Sequence, residues 1–232
     1  MKDFKSTINN KSASFRANKE AMQDLVNLLN EHLKVAHKQG NEIALKRAKD
    51  RGKSLSRDKI SRLLDKNSPF LELMPLAGLK HESGFGPGGT TISGIGLVKN
   101  KLCIINANIG TKKGGVVDYA TSLKNLRLSQ IAKDNKLTTI NLVESGGANL
   151  PDQDRVFNNY GAMFKEMSKR SKEGILSISI VFGNATAGGA YVPGMSDYTI
   201  MQKDQAKVFL AGPPLAVSYT HLRAHETQTQ LV

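Results

Sequence analysis

The stretch Leu176-Ser-Ile-Ser-Ile-Val-Phe182, followed by Asn184-Ala-Thr-Ala-Gly-Gly-Ala190, decides the fold class. The aliphatic run predicts a buried strand, and the glycines after it predict a tight turn into a helical stretch that begins near Ala187. The same pattern occurs earlier, where the predicted strand Thr139–Val143 leads into Glu144-Ser-Gly-Gly-Ala148. Two strand-to-helix turns of this kind are typical of parallel β-α units.

Further strands are predicted on both sides of these turns. Apolar residues over Thr91–Val98 and Leu102–Ile109 predict two strands, and Lys99-Asn100 between them predicts a tight hairpin. Short strands are also predicted at Tyr198–Met201 and Lys207–Leu210. The strand-helix alternation favours a parallel sheet joined by right-handed crossovers.

Apolar residues at helical spacing predict four helices. One covers residues 17–36, and a short one begins near Ser56, which is interpreted as its N-cap. A third is expected to open at Gly114-Gly115 and to run to about Asp134, and a fourth covers residues 156–172. The inward face of the third helix is predicted to carry four apolar residues: Val116, Tyr119, Leu123 and Leu126.

These elements divide the 232 residues into three parts. Residues 1–66 form a helical lead-in, and residues 67–215 form an α/β domain in which glycine is dense. Residues 216–232 are interpreted as a non-native tail, because Ser218–Thr227 resembles a translated sequencing adapter. This organisation predicts one globular domain preceded by helices.

The formal net charge of +13 suggests an anionic partner. The lead-in holds 16 of the 33 lysines and arginines, but acidic residues are interleaved with them. Aromatic residues make up only 6% of the chain and tryptophan is absent from it, so a base-stacking surface is poorly supplied. A solvated basic surface or a site for a nucleotide-bearing cofactor is therefore favoured over nucleic-acid binding.

The composition also limits the cellular setting and the chemistry. No apolar run is long enough to cross a bilayer, and the first ten residues lack the apolar segment of a secretory signal. Cys103 is the single cysteine, which excludes a disulfide framework, and it is interpreted as a packed residue of an apolar strand. The five histidines show no metal-binding spacing. A cytoplasmic protein without a metal is expected.

Two other glycine-rich segments lack the context that their spacing requires. Gly84–Gly89 contains a formal G-x-G-x-x-G, but a predicted strand follows it instead of a helix. Gly110–Gly115 has phosphate-loop spacing, but Val116 stands where a lysine is required. The sequence leaves open whether Lys112 and Lys113 touch an anion or are solvated in a turn.

The glycine turns that open helices predict a site built from main-chain groups. Glycine lets the backbone approach a ligand closely, and the first N–H groups of a helix have no partner within it. Such groups stabilise negative charge on an oxygen, as in an enolate or a tetrahedral intermediate. Structural turns without a ligand explain the same spacing equally well.

In their order and spacing, several motifs resemble the biotin-dependent acyl-CoA carboxylases, specifically the N-terminal half of the carboxyltransferase (beta) subunit. The resemblance covers residues 5–215, and its Gly-Gly-Ala-Asn-Leu-Pro and Thr-Ala-Gly-Gly-Ala-Tyr-Val-Pro forms are similar to the methylcrotonoyl-CoA branch. The matching segments are Arg51–Ile60, Leu64–Leu73, Lys113–Gly115, Glu144–Pro151, Thr186–Pro193 and Phe209–Leu215.

This resemblance implies a crotonase-like β-α superhelix and a carboxyl transfer from carboxybiotin to an acyl-CoA, by way of an enolate held in a backbone oxyanion hole. The acyl group stays open between methylcrotonoyl, propionyl and acetyl. The family pattern assigns the oxyanion role to Gly188 and Gly189, with Ala187 adjacent. Gly146, Gly147 and Ala148 are implied to shape the acyl-CoA pocket. A separate hypothesis places Arg51 and Lys53 near the CoA phosphates.

The resemblance also implies partners. Biotin arrives on a carrier domain of a biotin carboxylase subunit, and the full-length beta subunit forms a homo-oligomer. The active site of the family lies between this domain and a second crotonase-like domain of another subunit. The present chain is therefore expected to be an incomplete half that is inactive alone, without a metal, a membrane or a nucleic acid as partner.

Two other functions are kept as alternatives. A biotin-independent crotonase, such as an acyl-CoA hydratase or decarboxylase, needs acid and base groups near the glycine turns. Glu144 and Asp197 are the nearby carboxylates in the sequence. A basic nucleic-acid-binding module is the second alternative, and binding that weakens steeply with salt would identify it.

Overall fold

A computed structural model describes residues 6–81 and 84–211 and shows one mixed sheet flanked by helices. The helices are α1 (Ala13–Ala36), α2 (Glu42–Asp50), α3 (Ser56–Leu63), α4 (Tyr119–Asp134), α5 (Gln153–Lys172) and α6 (Gly188–Gly194). The strands are β1 (Phe70–Glu72), β2 (Thr91–Val98), β3 (Lys101–Asn108), β4 (Thr138–Ser145), β5 (Ser177–Thr186), β6 (Tyr198–Met201) and β7 (Lys207–Phe209). Short 3-10 turns lie at Lys113–Gly115 and Leu150–Asp152.

The sheet has the order β1-β2-β3-β4-β5-β6, and β7 pairs with the end of β5. The first three strands are antiparallel, whereas β3 to β6 run parallel, as does the pair of β5 and β7. Parallel neighbours bring the carboxyl ends of β4 and β5 to the same edge. Both glycine turns therefore emerge side by side.

The two faces of the sheet differ in polarity. One face packs under α3 and is aliphatic, with Ile105, Ile140 and Leu142 almost fully buried against Ile60. The opposite face lies under α4 and α5 and alternates apolar side chains with asparagine, serine and threonine. These side chains share one face because every second residue of a strand points to the same side of the sheet.

The predicted hairpin is confirmed, because β2 and β3 pair in continuous antiparallel register. Lys99 and Asn100 both have positive φ angles, 51° and 59°, which is the conformation of a two-residue turn that matches strand twist. The predicted parallel β-α units are also present, although β5 extends four residues beyond Phe182, to Thr186.

The sequence prediction and the structure differ at three places. No helix is predicted where the structure has α2, a nine-residue helix whose N-cap Asn41 accepts a hydrogen bond from Ala44 N at 2.9 Å. Ser56 is not an N-cap, because it is the first helical residue and its hydroxyl donates to Asn108 O at 2.6 Å. This bond ties the lead-in to β3.

The third difference concerns α4, which begins at Tyr119 and not at Gly114-Gly115. Asp118 caps it by accepting a hydrogen bond from Thr121 N at 2.9 Å. Leu123 was predicted to face inward but is 42% exposed, whereas Leu128 and Lys124 are buried. The packing face thus contains polar residues that a search for apolar periodicity does not find.

The lead-in is unevenly packed. Ile60 of α3 is buried in the core, but α1 leaves Met22, Leu25 and Leu28 at least half exposed. Within the described ranges, none of the helices has the length and apolarity of a bilayer-spanning segment. The proposed domain boundary at residue 66 stays a prediction, and the tail 216–232 lies outside the described residues.

Candidate active site

The second glycine turn presents two main-chain N–H groups that have no protein acceptor in the described part of the chain. These are the amides of Gly188 and Gly189, the first two residues of α6. The amide of Ala187 is different, because it donates to Phe209 O at 3.0 Å. Ala187 was grouped with the two glycines from sequence, and this bond removes its N–H from the available donors.

The backbone at Ala187 is strained. Its φ of 49° and ψ of −120° fall in a region that residues with a side chain rarely adopt. The bond to Phe209 O and the pairing of β5 with β7 hold it there. The sharp bend turns the chain from β5 directly into α6 and so separates the free amides from the sheet.

The first glycine turn is closed by hydrogen bonds. Gly146 N donates to Gly114 O at 2.9 Å, and Gly147 N donates to the hydroxyl of Ser145 at 3.2 Å. That hydroxyl in turn donates to Gly115 O at 3.0 Å. The amides of Gly146 and Gly147 are therefore used within the scaffold, while Ala148 forms a bridge with Val117.

The two turns lie in direct contact. A side chain at Gly147, where φ is 94°, would come within 3.2 Å of Thr186 O. A side chain at Gly189 would come within 2.9 Å of the Ser145 hydroxyl. The glycines are thus required by close approach of one turn to the other, and the first turn forms the support of the second.

Glu144, at the start of the first turn, is held by two lysines. Lys53 Nζ donates to one carboxylate oxygen at 2.6 Å and Lys59 Nζ to the other at 3.0 Å. Burial raises the pKa of Glu144, but the hydrogen bonds and charges of both lysines outweigh that effect and lower it overall. Side chains at Gly110 or Gly183 would overlap the Glu144 side chain, so the carboxylate sits in a fitted slot.

A basic cleft of about 650 Å³ opens beside Glu144. It lies between α2 and the segment Gly110–Gly114, and Phe85 also lines it. Its basic residues are Arg47, Arg51, Lys53, Lys112 and Lys113. Since Glu144 is the one acidic residue in the described lining, the cleft carries a net positive charge.

The structure distinguishes the two residues that were assigned to CoA phosphates. Arg51 lines the cleft, is exposed and forms no ion pair with any described carboxylate. Lys53 also lines it, but its charge is compensated by Glu144. Lys112 donates to Pro87 O at 3.2 Å, and burial lowers its pKa, which a distant Asp118 partly opposes. Of Arg51 and Lys53, Arg51 is therefore the better anion ligand.

The carboxylates required by the hydratase alternative are both occupied. Glu144 is bound by Lys53 and Lys59. Asp197 accepts hydrogen bonds from the backbone N–H and the hydroxyl of Ser177, at 2.7 and 2.9 Å, and these bonds lower its pKa. Neither is poised as a base near α6. In residues 6–81 and 84–211, no group of three or more metal-ligating side chains comes together.

An apolar groove of about 470 Å³ runs beside the second turn. Ala187 and Ala190 line it together with Tyr191, whose ring stacks on Phe164 at a centroid distance of 5.1 Å. Val208 and Leu210 complete the wall and are 49% and 86% exposed. Ala187 and Ala190 flank Gly188 and Gly189 in the sequence, so this apolar surface lies next to the second turn.

Sequence reasoning missed Arg47, Lys59 and the bend at Ala187. Arg47 and Arg51 are spaced i, i+4 and so share a face of α2, a helix indicated by Asn41 as N-cap and Gly52 after its end. The partnership of Lys59 with Glu144 joins residues 85 positions apart, and no local signal reveals it. The strain at Ala187 is equally invisible in the sequence, because alanine there gives no warning of a positive φ.

Comparisons with known proteins show which family the chain belongs to. Residues 47–231 match the carboxyl transferase domain family. The probable biotin-dependent acyl-coenzyme A carboxylase beta2 subunit of Mycobacterium tuberculosis is 44% identical over 212 residues, which are 91% of this chain and 40% of that protein. The biotin-dependent 3-methylcrotonyl-coenzyme A carboxylase beta1 subunit of the same organism is 46% identical over 199 residues, 84% of this chain and 38% of that one.

A solved structure supports the same relationship. The crystal structure of the P. aeruginosa geranyl-CoA carboxylase beta subunit superposes with a TM-score of 0.83 at 39% identity and covers 91% of this chain and 40% of that one. The predicted crotonase-like fold is thereby confirmed. The chain spans about two fifths of the length of the curated relatives it matches. It belongs to the carboxyl transferase domain family.

Proposed function

We propose that this chain is the acyl-CoA-binding part of the carboxyltransferase subunit of a biotin-dependent acyl-CoA carboxylase. The observation that carries the proposal is the pair of amides at Gly188 and Gly189, which have no acceptor in residues 6–81 and 84–211 and follow the bend at Ala187. Main-chain donors without a protein partner are suited to a developing oxyanion. The relatives named as carboxylase beta subunits support the same assignment.

The acyl-CoA is placed across the two turns. Its phosphates lie in the basic cleft with Arg51 as the main ligand, and its thioester oxygen accepts from Gly188 N and Gly189 N. The first turn lies between these points, since Gly114 and Glu144 line the cleft and Gly147 contacts Thr186. The acyl chain lies in the apolar groove that Ala187 and Tyr191 line.

The residues beside α6 fit a reaction in which the base comes from outside this chain. Carboxybiotin on a partner subunit would supply the carboxyl group, and its nitrogen would serve as the base. Glu144 and Asp197 are held as structural anions, and burial raises the pKa of Tyr160, which packs against Gly188 and stays neutral. The task left to the chain is to bind the thioester and to hold negative charge on its oxygen.

The acyl group, the biotin-bearing partner and the oligomer belong to the proposal as well. We infer a thioester in the range from acetyl to geranoyl, with a methylcrotonoyl-like substrate favoured by the motif forms at residues 146–151 and 186–193. The subunit works in a cytoplasmic homo-oligomer with a biotin carboxylase and carrier subunit, and needs no metal of its own.

The test takes the complete reading frame of this locus, co-expressed with a biotin carboxylase partner. Incorporation of labelled bicarbonate is measured with acetyl-, propionyl-, methylcrotonoyl- and geranoyl-CoA, and at least one is expected to be carboxylated. Arg51→Glu should raise the KM for that thioester about tenfold or more, because it removes a charge-assisted contact worth roughly 1.5–3 kcal/mol. Arg16→Glu on exposed α1 is the control.

The outcomes separate two parts of the proposal. If none of the four thioesters is carboxylated, the proposed function is wrong. Carboxylation with an unchanged KM in Arg51→Glu would overturn only the position of the phosphates.

A further inference from the structure

A small cavity of about 60 Å³ lies inside the molecule, between the sheet and helices α4 and α5. Thr139, Asn141 and Asn106 reach it from β4 and β3, and Ser129 and Arg170 reach it from the helices. Its lining contains an arginine and, among the described residues, no aspartate or glutamate. The cavity therefore contains the positive charge of Arg170, although apolar side chains such as Leu128, Val143 and Met163 line it as well.

A continuous polar row crosses the sheet at this level. The row is formed by residues in register on β2 to β6, namely Ser93, Asn106, Asn141, Ser179 and Thr199. Ser93 donates to Asn106 at 2.8 Å, and Ser179 bonds Ser196 at 2.7 Å. The Asn141 side chain, in the middle of the row, has no hydrogen-bond partner in the described ranges and lines the cavity. Asn141 is half-buried, so its amide is available to a ligand or solvent in the cavity.

Arg170 supplies the charge of the cavity. Arg170 is only 6% exposed, and its Nη1 donates to Thr139 Oγ1 at 3.2 Å. Its buried Nε has no acceptor in the described part of the chain, and the same holds for the hydroxyl of Ser129, a residue 5% exposed. Two donors are thus buried around one space without protein partners.

The carboxylates that act on Arg170 from a distance are engaged elsewhere. Glu166 pairs with Lys169 at 3.0 Å and with Lys133 at 3.7 Å. Asp197 is bound by Ser177. Burial lowers the pKa of Arg170, and the two carboxylates oppose this shift without forming an ion pair with it in residues 6–81 and 84–211. A guanidinium stays protonated in proteins, so the charge needs a counter-ion or solvent.

We propose that this cavity binds a small planar oxyanion with a single negative charge, the class of bicarbonate and nitrate. Arg170 offers a guanidinium fork that matches two oxygens of such an ion, and Ser129 and Asn141 offer further donors. A single water needs roughly 10–15 Å³ of such space, so about 60 Å³ admits an ion of four non-hydrogen atoms. The proposal does not require the carboxyltransferase function, although Gly189, one of the two proposed oxyanion donors, also lines the cavity.

The experiment measures thermal unfolding of the 232-residue chain in potassium bicarbonate or potassium nitrate. Potassium gluconate, whose anion is too large for the cavity, keeps the ionic strength and pH constant. Both small anions are expected to raise the Tm by about 3 °C near 50 mM, as a ligand with a Kd of about 10 mM does in a domain of this size. Arg170→Met should abolish the rise, and Arg127→Met on the exposed side of α4 should keep it.

A second variant and a crystal soak test the proposal even if Arg170→Met does not fold. Ser129→Ala removes an unpaired hydroxyl and should fold normally, while weakening nitrate binding several-fold in titration calorimetry. A crystal soaked in nitrate should show the ion beside Arg170. Equal Tm rises in the wild type and Arg170→Met, or ordered water only in the soaked crystal, would overturn the proposal.

Discussion

The two glycine turns carry nearly the same sequence pattern but differ in their hydrogen bonding. At the first turn, the amides of Gly146 and Gly147 are bound by Gly114 O and the Ser145 hydroxyl. At the second, the amides of Gly188 and Gly189 have no acceptor within the described ranges. The amides of the first turn are used within the protein, and those of the second turn are available to a ligand.

The difference originates in what precedes each helix. The first turn passes through a 3-10 segment at Leu150–Asp152 before α5 begins, so its backbone has room to fold back on Gly114 and Val117. The second turn enters α6 directly from β5 through one strained residue, Ala187. A direct entry leaves the first helical N–H groups without neighbours that could accept from them.

The sharpest way to break this comparison is Gly188→Pro in the complete subunit. Proline removes one of the two free N–H groups, and we expect the carboxylation rate to fall about a hundredfold or more, as for loss of an oxyanion-hole donor. Gly188→Ala keeps the N–H, and its new Cβ would make an ordinary 3.4 Å contact with the Tyr160 ring, so it should stay within a few-fold of the wild type.

Proline is accepted in the first turn of a helix, but it also restricts Ala187 before it. The Tm of both variants is therefore measured beside the rate. A folded Gly188→Pro enzyme with wild-type activity would show that the donors lie elsewhere and that the two turns are equivalent structural joints.

The architecture around the turns could be predicted because its determinants are local. The hairpin at Lys99-Asn100 and the parallel strands β4 and β5 follow from hydrophobic runs and turn residues that are adjacent in sequence. The same reasoning misplaced the start of α4, since its buried face includes Thr121 and Lys124. Lys124 is held by the carbonyl groups of Gly88 and Thr91, which only the folded chain brings near it.

The site could be predicted only in part. Glycine spacing indicated which two turns to consider, but it did not show that Ala187 N is bound by Phe209 O. Lys53 was expected at the CoA phosphates, whereas its ammonium contacts Glu144, 91 residues further along the chain. Contacts at such separation depend on the packing of the lead-in against the sheet, and residue type alone does not specify them.

A second prediction sharpens the comparison from the closed turn. Ser145→Ala removes the hydroxyl that accepts from Gly147 N and donates to Gly115 O, and so leaves two buried backbone groups unsatisfied. The free energy of unfolding, measured with urea, should fall by about 2 kcal/mol. Ser168→Ala, at an exposed hydroxyl of α5, should change it by less than about 0.5 kcal/mol. A variant as stable as the wild type would mean that this hydroxyl does not close the turn.

The smallest expected effect concerns the carboxylate that anchors the closed turn to the lead-in. Because Lys53 and Lys59 lower the pKa of Glu144 in the folded chain, its stabilisation is present above the unfolded pKa, near 4.3, and is lost as the pH falls through the folded value. Glu144→Gln should therefore lower the free energy of unfolding by about 1 kcal/mol at pH 7, since the pair is partly exposed.

The pH dependence separates a charge effect from a packing effect at this site. If the two lysines act on a carboxylate, the difference between wild type and Glu144→Gln shrinks as the pH falls below about 4. A Glu144→Gln variant as stable as the wild type from pH 7 to pH 3 would show that the side chain only fills the slot beside Gly110 and Gly183, because glutamine has nearly the same shape. Packing alone would then position the closed turn against the lead-in, and the ammonium of Lys53 would be available to bind an anion in the cleft.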